Sequence, residues 1–342
     1  MRNTLIMTAF IFYVGLTGCQ PEQAVVKRSQ MLMGTLVFVT AVAADEETAQ
    51  RAAAAGLVEI RRLEELLSTW IPSSEVSRVN AAAGSDPVQV SPETLALIKR
   101  AVEMGKLTEG GFNVAIGPAV EAWGIPEEPR VPTKAVLEQV RPLLDLSQVR
   151  LDEGASTVFL AQPGMKIDIG GIGKGFAADY AVEIMQSVGA TAGVVALSGD
   201  IKTFGHMPDG KRFLFGVQHP RQEGALLGTL ELENEALSTA GDYQRFFVKD
   251  GIRYHHILDP KSLHPARQCQ SVTVVASEGV LADGLDTGLF VQGPERGMAV
   301  VERLPGVEAI IVDGAGRLLV SSGLKGRLMT DRTLELVPGA ER

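Results

Sequence analysis

Apolar residues recur at helical spacing between residues 45 and 67. Ala49, Ala53, Leu57, Ile60, Leu63 and Leu67 fall on one stripe with charges between them, which predicts an amphipathic helix. Before it, residues 35–43 are rich in β-branched side chains and read as a strand. Ser91-Pro92 is a helix start with proline at the first helical position, and that helix runs to about residue 107, ahead of Gly110-Gly111. Prolines between 118 and 132 interrupt the pattern and predict a surface loop. The centre reads as strands at 157–160, 165–169, 193–203, 213–217 and 226–233, with one helix at 176–188. Toward the end come a strand at 271–276, a helix around residue 283, a helix at 294–304 and a hairpin. In that hairpin residues 313–316 turn between apolar runs at 309–312 and 317–320. Strands cluster as hairpins with helices between the clusters, and strict βαβα alternation is absent. The fold class expected is therefore α+β with mainly antiparallel sheets.

With 342 residues the chain has room for one large domain or two ordinary ones. Nothing in the composition marks an internal boundary, and a hydrophobic share of 45% supports a normal core. A net charge of −9 argues against nucleic acid as a partner and against electrostatic adhesion to anionic lipid. Arg2, an apolar run from Leu5 to Val14, and Leu16-Thr17-Gly18-Cys19 form a secretory signal. Cys19 after the small residues resembles a bacterial lipobox, so residues 1–18 are expected to be cleaved and Cys19 lipidated. An uncleaved anchor and an ordinary export signal are the alternatives. Residues 19–30 would then be a polar tether and residues 31–335 the folded domain, held at the periplasmic face of a bacterial envelope membrane. Only Cys269 remains, so no disulfide is expected. It precedes a strand and reads as a buried thiol.

The chemistry concentrates at two places. Asp283, Asp286 and Thr287 stand at i, i+3 and i+4 and share one helix face. Two carboxylates and a hydroxyl are hard oxygen ligands that suit Mg²⁺, with a solvated acidic helix face as the plain alternative. Leu281, Leu285 and Leu289 can anchor that helix. Residues 166–176 hold Gly170, Gly171, Gly173 and Gly175 with Asp168 and Lys174. They read as a strand, a turn and a helix start whose amides can meet a phosphate, or as a tight turn with no ligand. Ser198-Gly199-Asp200 and residues 238–242 read as structural turns at strand ends. His255-His256 offers a neutral imidazole as a base, against an ordinary structural histidine. Met31 and Met33 read as core, and the Trp70 ring either stacks on a flat ligand or plugs a gap.

Seven short stretches in sequence order carry a resemblance: residues 33–35, 74–80, 111–118, 168–175, 236–243, 256–260 and 282–287. Together they resemble the ApbE family, the Mg²⁺-dependent FAD:protein FMN transferases, over residues 31 to about 321. The resemblance implies a T-fold-like α+β domain. It implies Mg²⁺ bound by Asp283, Asp286, Thr287 and the main-chain carbonyl of Gly171. It implies FAD lined by Met33, Trp70, Gly111, Phe112, Asn113, Asp168, Lys174 and Ile257, with His256 in an acid–base part. Asn113 stands where several family members have Asp, and Gly171 where some have a small hydroxyl residue. The activity implied moves FMN from FAD to a Thr or Ser hydroxyl of a client flavoprotein and releases AMP. Hydrolysis of FAD to FMN and AMP, or flavin binding without catalysis, are the alternatives.

Overall fold

The computed structural model describes residues 23–334. Its strands are β1 (Ala24–Leu32), β2 (Thr35–Ala43), β3 (Val88–Gln89), β4 (Val149–Asp152), β5 (Thr157–Leu160), β6 (Ala192–Leu197), β7 (Asp200–Phe204), β8 (Phe213–Gln218), β9 (Leu226–Leu232), β10 (Ala236–Gly241), β11 (Phe246–Lys249), β12 (Ile252–His255), β13 (Cys269–Ala276), β14 (Glu308–Asp313) and β15 (Leu318–Val320). The helices are α1 (Glu46–Leu67), α2 (Glu75–Ala81), α3 (Pro92–Leu107), α4 (Gly117–Trp123), α5 (Lys134–Val140), α6 (Gly173–Ser187), α7 (Gly279–Gln292) and α8 (Pro294–Val301). Among the described residues no helix is long and apolar enough to cross a membrane.

One eight-stranded sheet in the order β1-β2-β6-β7-β10-β13-β14-β15 organises the molecule, and its neighbouring strands all run antiparallel. The α+β expectation holds. Helices α1, α6, α7 and α8 pack on one face of the sheet. Leu227, Leu230 and Leu232 of the β8–β9 hairpin cover part of the other, against Leu237, Val275, Ile310 and Val320. Helix α7 lies between the sheet, α3 and α6, and is buried on nearly every side. A helix buried all round must carry a polar group only where that group has a partner or a ligand.

Four expectations are corrected. The tether was expected to extend to residue 30, but β1 begins at Ala24 and pairs with β2 from Ala24 opposite Ala43 to Leu32 opposite Thr35. Lys27, Arg28 and Ser29 are exposed while Val26 and Leu32 are buried; an edge strand tolerates that polar composition. Residues 1–18 and Cys19 lie outside the described residues. The expected loop at 118–132 contains α4, with Pro118 in its first turn, Gly124 ending it at φ +62° and Trp123 buried. The expected strand at 165–169 does not form: the segment buries Met165 and Ile167 but joins no sheet. The Asn80 side chain takes its place as partner, accepting from Ile167 N at 2.7 Å and donating to Ile167 O at 2.9 Å. The single strand expected at 193–203 is the β6–β7 hairpin, turning at Ser198 with φ +60°.

Candidate active site

Helices α6 and α7 cross at two glycines. A Cβ on Gly175 would lie 2.1 Å from the Gly279 carbonyl, and one on Gly279 would lie 2.5 Å from the Gly175 carbonyl. Only glycine permits backbones this close. Each helix then caps the other. Asp179 on α6 accepts from Gly279 N at 2.7 Å and Val280 N at 2.9 Å, and Asp283 on α7 accepts from Gly175 N at 2.8 Å. Carboxylates at helix N-termini satisfy orphan amides and suit the positive helix end. The glycine-rich turn therefore presents its Gly175 amide to the chain's own Asp283, where the sequence suggested a phosphate.

Asp283 and Asp286 are each 2% exposed. A third carboxylate, Asp200 at the start of β7, joins them, and their ligand oxygens lie within 4.8 Å of one another. Ser238 on β10 donates its hydroxyl to Asp286 Oδ2 at 2.6 Å and also bonds Asp200. Lys174 in the first turn of α6 pairs with Asp200. Asp286 Oδ1 is buried with no hydrogen-bond partner.

The electrostatics follow from this crowding. Burial is the largest influence on Asp283 and pushes its carboxyl up to about 7, with Asp200 adding to the rise and Lys174 opposing it. Burial also raises Asp286 well above the usual carboxylate range, reinforced by the charges of Asp283 and Asp200. Burial works against the Lys174 ammonium, but Asp200, Asp283 and Asp286 outweigh it and raise its pKa. Fully ionised, three buried carboxylates against one ammonium would carry uncompensated negative charge, which is why burial favours their protonated forms, and a buried acceptor stands unpaired. Both observations fit a hard divalent cation.

Thr287 and Gly171 belong to the same place: a Cβ on Gly171 would lie 2.9 Å from Thr287 Oγ1 and 3.4 Å from the Phe112 ring. Gly111 presses on α7, where an added Cβ would stand 2.3 Å from the Gly288 carbonyl. Asn113 uses its side chain locally, accepting from Ala115 N at 2.9 Å and donating Nδ2–H to Leu144 O at 2.8 Å. Asp168 accepts from Gly170 N at 2.7 Å, and burial raises its carboxyl despite that bond and the nearby Arg245. Ile257 is buried. His256 lies with its backbone N–H 3.1 Å and its Nδ1 3.3 Å from the Arg245 carbonyl. Burial pushes this imidazole down to about 4, helped by Arg245 and by Lys174, so it is neutral at pH 7.

Two residues of the expected set sit on other elements. Met33 occupies the β1–β2 turn at φ +50° and donates its N–H to Glu64 Oε1 at 2.6 Å. Trp70 follows α1 and is 75% exposed, so it plugs no gap in the core. The sequence reading places Asp200 and Ser238 in structural turns, whereas both are members of the acidic site. Ser238 lies in a stretch that carried the resemblance. Asp200 has no local signal: the pairing of Ile201 with Leu237 brings it beside Ser238.

Known proteins share this arrangement of chain. The ApbE family model matches residues 33–311. A FAD:protein FMN transferase from Vibrio cholerae is 33% identical over 340 residues, covering 95% of this chain and 98% of that protein. One from Treponema pallidum is 31% identical, with 94% of each chain covered. Among solved structures, the ApbE protein of Thermotoga maritima superposes with a TM-score of 0.82 at 32% identity, over 89% of this chain and 99% of that one. The flavin transferase ApbE from Vibrio cholerae gives 0.80 at 30% identity, over 90% and 100%. The chain belongs to the ApbE family.

Proposed function

We propose that this chain is a flavin transferase that moves FMN from FAD to a Thr or Ser hydroxyl of a client flavoprotein, with Mg²⁺ as its metal. The observation that carries the metal is the buried convergence of Asp200, Asp283 and Asp286 with Asp286 Oδ1 unpaired. Asp283, Asp286, Thr287 and the Gly171 carbonyl would hold the ion, with Asp200 contributing charge beside them. A bound Mg²⁺ would supply positive charge that stabilises the negative charge on diphosphate oxygens when one phosphorus–bridging-oxygen bond breaks.

The residues of the chain do the rest. Lys174 holds Asp200 in place and adds a fixed positive charge to the anion-binding side of the site. The neutral His256 imidazole takes the hydroxyl proton of the client. The client oxygen bonds to the FMN-side phosphorus, the bond from that phosphorus to the bridging oxygen breaks, and AMP leaves with the electron pair. FMN remains on the client through a phosphoester. Phe112, buried beside Gly171, gives the site apolar surface suited to a flavin, and the family resemblance adds Ile257 to that lining.

The signal at residues 1–18 and the cysteine at 19 support attachment to a membrane of the bacterial envelope through an N-terminal lipid, with the domain on the periplasmic side. With β1 starting at Ala24, the tether would be only a few residues long and would hold the domain close to that surface.

Mass spectrometry of a client incubated with the protein, FAD and Mg²⁺ tests the reading. The expected result is a mass gain of one FMN on a Thr or Ser, lost on addition of chelator. AMP release at the same rate with and without client would instead mark the protein as a hydrolase of FAD. Replacement of Cys19 by Ser is expected to release the protein from the membrane fraction; unchanged partition would overturn the lipid anchor.

A further inference from the structure

Two histidines stand side by side on the chain and are held in different ways. His255 ends β12 and is 4% exposed. Its Nε2 lies 2.6 Å from the Ala266 carbonyl, and its Nδ1 lies 3.3 Å from the Ile257 amide. A carbonyl only accepts and an amide N–H only donates, so His255 carries its proton on Nε2 and leaves Nδ1 as the acceptor. This one side chain bridges the backbone after His256 to the strand-like segment beyond it, where Ala266 N also donates to Ile257 O at 3.0 Å. The His255 ring also stands edge-on to Phe290, with centroids 5.6 Å apart and planes at 74°. Phe290 is fully buried on α7, the helix that carries Asp283, Asp286 and Thr287.

The neighbouring ring has the opposite arrangement. His256 Nδ1 faces the Arg245 carbonyl, the same oxygen that accepts the His256 backbone N–H. The proton of a neutral imidazole must then sit on Nδ1, which leaves Nε2 with a lone pair. That tautomer depends on where the backbone at 256 places the ring, and the backbone on its C-terminal side is fixed by His255.

We propose that His255 is a positioning residue: it clamps Ile257 and Ala266 and leans on α7, so that His256 is held as the Nδ1–H tautomer with Nε2 free to accept the client's hydroxyl proton. The role rests on the reading of His256 as the base. It assigns to His255 no contact with FAD or client, and the two rings of one dipeptide take opposite tautomers for different purposes.

The test uses the folded protein, ¹⁵N-labelled at histidine, with and without Mg²⁺ and FAD. Nitrogen–carbon-bound-proton correlation spectra at pH 7 are expected to show His255 protonated at Nε2 and His256 at Nδ1. In H255F, which keeps the ring volume and removes both bonds, His256 should become a mixture of tautomers. Its kcat should fall at least about tenfold, part of the hundred- to ten-thousandfold a positioned base contributes, with the KM for FAD changed less than about twofold. H255Q retains an acceptor and a donor and should recover most of kcat and the single tautomer. A wild-type His256 protonated at Nε2, or an H255F variant with unchanged kcat, would overturn the proposal; the wild-type spectrum decides even if H255F fails to fold. An H256Q variant with full transfer activity would instead remove the base reading and leave the two tautomers as a structural fact.

Discussion

The Asp283 carboxylate accepts the Gly175 amide across 2.8 Å, so the residue best placed to hold a metal also caps the helix that carries Lys174. One side chain thereby couples the acidic site to the packing of α6 on α7. Substitutions at 283 mix the two roles, and separating them calls for changes at neighbouring positions.

Asp286 offers that separation. Its Oδ1 is buried without a partner, and its pKa is raised first by burial and then by two like charges. Asparagine keeps the shape and can still accept from Ser238. The D286N variant should melt at an unchanged or higher temperature without metal, because it removes an unfavourable buried charge. FMN transfer should drop by at least about a hundredfold, as when a fixed electrostatic contact to the reaction is lost. Differential scanning calorimetry and a client-labelling assay measure the two effects; a lower melting point with normal transfer would contradict the metal assignment.

Proton release should accompany Mg²⁺ binding. In the folded protein Asp283 keeps its proton up to about 7, against an ordinary value of 3.8. Between those values the folded state binds more protons than the unfolded one, so the metal-free protein loses stability as pH rises from about 4 to about 7. A cation needs the ionised carboxylates, and Asp286 is raised as well, so its affinity should climb with pH through about 7. Titration calorimetry in buffers of different ionisation enthalpy reads both signals. Affinity independent of pH from about 5.5 to about 7.5 would show that Asp283 is not a ligand.

The crossing of α6 on α7 tolerates no side chain at its tightest point. A methyl on Gly175 would meet the Gly279 carbonyl at 2.1 Å, a backbone atom that cannot turn away. G175A should cost about 2–3 kcal/mol by forcing the helices apart, read from urea unfolding. Transfer should fall with it, since Lys174 and Asp283 move with the two backbones. Unchanged stability would mean that the helices slide past each other freely.

Asn113 gives a prediction that runs against its resemblance to relatives with Asp. Its Nδ2–H donates to the Leu144 carbonyl at 2.8 Å while Oδ1 caps Ala115 N. Aspartate keeps the second bond and leaves Leu144 O facing a carboxylate. N113D should destabilise the fold by about 1–3 kcal/mol, the range for stranding a buried acceptor, with a larger cost above the aspartate pKa. Denaturant unfolding at pH 4 and pH 7 checks the sign.

Much of this molecule was legible as local pattern. The stripe of α1, the Ser91-Pro92 start of α3, the turn at residues 313–316 and the i, i+3, i+4 placement of Asp283, Asp286 and Thr287 depend on residues within a turn or two of each other, and the sequence by itself determined them. Tertiary structure decided the partners. Polar Lys27, Arg28 and Ser29 became an edge strand because β2 supplied the ladder, and the 165–169 segment stayed out of every sheet because the Asn80 side chain, 87 residues away, took the bonds of Ile167 while the backbone at 114–117 took those of Lys166 and Asp168. Asp200 entered the acidic site only through the pairing of β7 with β10, and the Gly175 amide met Asp283 only because two glycines let their helices touch. Spacing along a chain fixes which side chains share a face. What that face meets is set by contacts between segments far apart in sequence, whose free energy no short window contains.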